Sequence, residues 1–97
     1  MALIDEVKVA NRITTDDAGI SLELDGLIEA ARLDLIITGV DAIKANDDTD
    51  ALIRRAIILY TKAHFGYAND DAERLHLTYQ FLRDKLSMDI DYSNEVV

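Results

Sequence analysis

The sequence contains no cysteine, which excludes disulfides, thiolate metal sites and cysteine nucleophiles. Proline is absent too, and glycine occurs only four times in 97 residues, so few positions force a helix to stop. That scarcity favours helices joined by short connections. No apolar run exceeds the five residues Ala56–Tyr60, far short of a membrane span. Basic runs are just as short, none longer than Arg54-Arg55. The opening residues, Met1-Ala2-Leu3-Ile4-Asp5-Glu6, are acidic where a secretory signal would be basic, so a cytosolic product is expected.

What is present reads as globular: 49% of residues are hydrophobic and 30% charged, too apolar for a disordered chain. The length suits a single domain over residues 1–97 with one core. A core that small leaves much of the chain in water, and such domains often gain stability from a partner or from copies of themselves. The formal charge is −9, from 19 acidic and ten basic residues. Proteins that grip nucleic acid usually present a basic face that displaces counterions from phosphates. This balance argues against tight DNA binding by a monomer and permits a surface that avoids sticking to DNA.

Hydrophobic spacing predicts an all-α bundle of about four helices with a short C-terminal tail. The first helix spans about Leu3 to Arg12, with Leu3, Val7 and Ala10 on one face. Thr14 to Asp17 offers capping side chains and reads as a turn. The second helix starts at Ala18 or Ser21 and runs to Thr38, where Gly39 supplies a left-handed stop. It carries two apolar stripes, Leu24, Leu27, Ile28, Ala31 and Leu35, and, offset from them, Leu22, Leu33, Ile36 and Val40. The second is either the edge of a broad core face or a subunit contact, with Leu33 and Ile36 as the candidates.

Residues Val40 to Asp48 read as a polar connection, after which Asp48 or Thr49 caps a third helix reaching Phe65 and stopping at Gly66. Its centre, Ala56 to Tyr60, is apolar on every side, so this helix is expected at the middle of the bundle. The fourth helix opens at Asn69-Asp70, with Glu73 three residues on in capping-box spacing, and continues to Leu86. Leu75, Tyr79, Leu82 and Leu86 face the core. Leu77 and Phe81 lie roughly 200° away around the helix and are candidate contacts for a partner. The tail, 87–97, alternates Met88, Ile90 and Tyr92 with acidic residues, so it is expected to be extended, either frayed or laid on a neighbouring chain.

Motifs for chemistry fail on inspection. Asn46-x-Asp48-x-Asp50 begins like a calcium loop, but Ala51 replaces the turn glycine and Ile57 the bidentate glutamate. Helix capping is the better use of those carboxylates. His64 and His76 fall on different helices without the close second ligand of a zinc motif, and ring packing is the expectation for each. Helical pyrophosphatases hold magnesium with glutamates three or four apart; Glu23 and Glu29 are six apart, and the lone Asp25–Glu29 pair is common on a solvated helix. Neither a phosphate loop nor a nucleophile elbow is present. No cofactor, metal or catalytic residue is expected. Arg54 and Arg55, with Lys62, make the third helix locally basic: either a solvated edge of ion pairs, or an anchor on the acidic face of another subunit.

In order and spacing, several segments together resemble the small head–tail connector proteins of long-tailed phages, often labelled DNA-packaging proteins. They are Leu3-Ile4-Asp5-Glu6-Val7-Lys8, Arg12-Ile13-Thr14, Asp16-Asp17, Leu27-Ile28-Glu29-Ala30-Ala31, Ile53 to Tyr60 and Ala63-His64-Phe65-Gly66-Tyr67. The likeness covers Leu3 to Leu86. It implies a helical subunit of the virion, made in the host cytoplasm, about twelve copies of which form a ring beneath the portal. Such a ring extends the DNA channel without binding DNA specifically and offers a platform to a stopper or tail-completion protein. It brings no catalytic residues to carry over. One departure is Gly26, where the family tends to carry a better helix former, at a cost of about 1 kcal/mol relative to alanine. The rival readings are another phage neck or tail-completion protein and a small acidic helical regulator that binds a protein partner.

Overall fold

The computed structural model describes residues 2–14, 17–65 and 70–93. It is all-helical, with five helices where about four were expected: α1 (Leu3–Ala10), α2 (Ala18–Thr38), α3 (Ala42–Ala45), α4 (Ala51–His64) and α5 (Ala72–Met88). The expected stop at Gly66 and start at Asn69 lie outside the described residues.

Local chemistry sets the ends. α1 closes two residues before the expected Arg12, which itself turns into the left-handed region at φ 58°. The Ile13 N–H then reaches back to the Lys8 carbonyl at 2.8 Å and satisfies one of the last open carbonyls. α2 begins at Ala18, because the Asp17 carboxylate accepts the Gly19 and Ile20 N–H groups at 2.7 and 3.1 Å. It ends as expected at Gly39, whose φ of 127° only glycine adopts without strain. The additional helix, α3, interrupts the expected polar connection. Asp41 caps it through the Ile43 and Lys44 N–H groups, while Val40 just before it and its last residue, Ala45, are fully buried.

The cap of α4 is Asp50, neither Asp48 nor Thr49: its carboxylate accepts from the Leu52 and Ile53 N–H groups at 2.9 and 3.2 Å. Asp48 instead pairs with Arg32 at 2.7 Å, and Thr49 donates to Asp47. The same Arg32 donates to the Ala45 carbonyl at 3.0 Å, so one guanidinium ties α2 to the α3–α4 connection. At α5 the expected capping box is out of register by one, since Asp71 holds the N-cap position and makes no side-chain cap bond.

α4 packs against α1, α2 and α5 and is the centre of the bundle. Ile53, Ala56, Ile57 and Leu59 are buried on it, while Ile58 and Tyr60 are half-buried against the core. Around them close Leu3 and Val7 of α1, Leu24, Ile28, Ala31 and Leu35 of α2, and Leu75, Tyr79 and Leu86 of α5. The one buried polar side chain among the described residues is Thr61. Its hydroxyl donates to the Ile58 carbonyl at 2.9 Å and accepts from Asn11 at 3.3 Å, so it leaves nothing unpaired.

Gly26 sits exposed in mid-α2, and a Cβ built there meets nothing within 4 Å. The subunit has no packing reason for glycine at this position. Gly26→Ala is therefore expected to raise stability by about 0.5–1 kcal/mol, read as a higher urea midpoint at unchanged slope. A loss of stability would mean that the backbone there is strained.

Candidate interaction surfaces

Most of the large apolar side chains that the core leaves uncovered fall on α2 and α5, while Val9, Ile43 and Leu52 stand singly on the other helices. On α5, Leu77 and Phe81 are 57% and 65% exposed, as their spacing predicted. Met88 continues their line eleven residues after Leu77, and it too is exposed. The Lys85 ammonium lies 4.7 Å from the centre of the Phe81 ring, so one edge of this stripe is already cationic.

On α2 the second stripe divides. Leu33 is 57% exposed, and Leu22 is also open. Ile36, however, is half-buried against the core, and Val40 is fully buried beyond the helix stop. The exposed isoleucine is Ile37, at 82%. One residue turns a helix by about 100°, so an apolar pair at 36–37 puts one member inward and one outward. Periodicity alone picked the inward one.

The two candidate arginines have different fates. Arg54 is half-buried, and its guanidinium holds the Glu6 carboxylate with two nitrogens, Nε at 2.8 Å from Oε2. It staples α4 to α1. Arg55 is exposed and makes no ion pair among the described residues. Nearby, Arg12, Lys62 and Arg74 line an open concavity of about 570 Å³, where Asp71 pairs with Arg74 at 3.5 Å.

Where it is described, the tail lies against its own subunit. α5 continues to Met88, and Asp89–Ser93 then fold back onto the α2–α3 junction. Ser93 forms a single antiparallel bridge with Val40, and the Asp41 N–H donates to the Tyr92 carbonyl at 2.7 Å. The Tyr92 hydroxyl donates to the Asp50 carboxylate at 2.9 Å, with the Lys44 ammonium 5.3 Å from the ring centre. Burial and the neighbouring Asp50 raise the Tyr92 phenol above its ordinary range, which keeps it a donor. Ile90 and, on α3, Ile43 stand exposed at this end.

Sequence spacing gave no sign of the polar seam between α2 and α5. Asp34 accepts the Tyr79 hydroxyl at 2.6 Å and Arg83 at 3.0 Å. Burial, then the bond to Asp34, pushes the Tyr79 phenol far above its ordinary range. Beside it, His64 and His76 do pack through their rings, but also against each other, their centres 5.1 Å apart. In the failed calcium loop, Asp47, Asp48 and Asp50 serve Thr49, Arg32 and the start of α4.

A family profile described as phage connector protein matches residues 3–93. Comparison with curated proteins and with solved structures returned no match.

Proposed function

This chain belongs to the phage connector protein family, and from that premise we propose that about twelve copies close into a ring beneath the portal and continue its DNA channel. The single observation that carries the reading is the pair of outward apolar stripes, Leu33 with Ile37 on α2 and Leu77 with Phe81 on α5. Stripes on two different helices suit a heterologous contact, α5 of one copy against α2 of the next, repeated until the ring closes. Ile36, half-buried in its own subunit, contributes only its outer edge.

The acidic balance fits a conduit. At −9 per subunit, about twelve copies carry roughly −100 in formal charge before screening, felt over ~8–10 Å in physiological salt. Carboxylates facing the lumen would repel phosphates and let DNA slide. Arg55, free of ion pairs within the described chain, supplies a cationic anchor for an acidic neighbour. The portal on one side and a stopper or tail-completion protein on the other are the expected partners, and the virion neck is the expected place of residence. The role is structural, with no catalytic step.

Co-sedimentation with purified portal rings tests the docking. The chain is expected to pellet with the portal, and Arg55→Glu to weaken that binding most at low salt. A chain that stays in the supernatant at every salt concentration contradicts portal docking. Calorimetric titration with calcium, magnesium and ATP should show no binding at micromolar affinity, since the acidic groups at 47–50 already serve the fold. A clear isotherm would reopen an enzymatic reading.

A further inference from the structure

Four rings close on one another across the α4–α5 seam. Tyr60 packs on His64 at 4.3 Å between centres, His64 meets His76 edge-on at 5.1 Å, His76 stacks on Tyr79 at 6.1 Å, and Tyr79 returns to Tyr60 at 5.2 Å. Two histidines twelve residues apart thus share one small aromatic cluster. Nδ1 of His76 is buried and has no hydrogen-bond partner. A bare lone pair is tolerable there in the neutral ring, but a proton at that nitrogen would be an N–H donor with no acceptor.

The charged and titratable neighbours are few. α4 presents Tyr60 and α5 presents Tyr79 and Arg83, while from α2 comes Asp34, already engaged by the Tyr79 hydroxyl and by Arg83. Among the described residues, neither imidazole is paired with a carboxylate. Partial burial of the ring among its aromatic neighbours, although His64 keeps an exposed edge, and after it the neighbouring His76 hold its imidazole below the ordinary range, against a weaker pull from Asp34.

We propose that the His64–His76 pair is a pH-sensitive latch on the α4–α5 seam, closed while both rings are neutral and loosened when they take up protons. Once one ring carries a proton, the second must enter beside a like charge. The sign follows from the direction of the shift. A histidine held below its unfolded value stabilises the fold fully above that value, about 6.5, and the stabilisation disappears as pH falls through the folded value. α5 also carries Leu77 and Phe81 on its outer side, so the latch governs how firmly that side is held.

The test is a proton NMR titration of both imidazoles in the full chain, combined with urea denaturation at pH 7.5 and 5.5. His64 is expected to titrate below about 6.5, and a depression of one unit at that ring corresponds to a tenfold larger unfolding constant below both values. His64→Gln, at an exposed position, should flatten the pH dependence while remaining folded, and His76→Gln should do the same if it folds. Carboxylates do not imitate this result, because their titration lies lower and persists in the variants. A His64 imidazole that titrates at or above about 6.5, or a wild-type pH dependence that His64→Gln leaves unchanged, would overturn the latch.

Discussion

Ile57→Ala is expected to destabilise the subunit by about 2–5 kcal/mol, the cost of removing buried methyl and methylene groups from a core that relaxes only partly. Ile57 has no exposed surface and lies in mid-α4, the helix that α1, α2 and α5 all pack against. A cavity there is lined from several sides, so no single neighbour can move in to fill it. Stability of a chain this size is only about 5–15 kcal/mol in total, which makes the loss a large share of the whole. Urea denaturation reads it directly as a lower midpoint. A loss below about 1 kcal/mol would mean that α4 is not the centre of the fold.

The second large effect concerns assembly. Phe81→Asp should leave the isolated subunit helical and its stability within about 0.5 kcal/mol, because the ring is 65% exposed and contributes little to the core. Between copies the change is severe. Burial of a Phe or Leu side chain contributes about 1.5–3 kcal/mol before ordering costs, and a carboxylate in that place adds an unpaired charge to an apolar contact. The penalty recurs at every contact of a closed ring. Circular dichroism and urea denaturation of the variant, set beside its binding to portal rings, separate the outcomes. Unfolding would place Phe81 in the core, and assembly equal to wild type would place the contact elsewhere.

The parts of the fold that follow one short-range rule could be read from the sequence. Ala56 to Tyr60 marked α4 because an all-round apolar run has to be buried, and Gly39 marked the end of α2 because its φ of 127° suits no other residue. Leu77 and Phe81 were placed outward by the same 3.6-residue period that put Leu75 and Tyr79 inward. α3 escaped notice because four residues cannot show a period, although Asp41 stood ready as its cap. Asp48, Thr49 and Asp50 are all good caps, and spacing cannot say which is free; Arg32 decides the matter by taking Asp48.

What the sequence could not show is long-range. Asp34 meets residues 45 and 49 positions away, and Arg54 meets Glu6 across 48. No local pattern predicts such pairs, so spacing alone left Arg54 open between an ion-paired edge and an anchor on another subunit. The alternation at Met88–Tyr92 suggested an extended tail, yet Tyr92 folds back because Asp50 accepts its hydroxyl and the Asp41 N–H donates to its carbonyl. Ile36 and Ile37 show the limit at closest range: both are apolar, and only the packing tells which one faces out.

The central claim, a ring of these subunits continuing the portal channel, is tested most directly by negative-stain imaging of portal particles after incubation with the chain. The account predicts an added ring of density coaxial with the portal, about twelve subunits around an open lumen, and its loss with Phe81→Asp. Density at one edge only, or bound copies that never close around the axis, would contradict it.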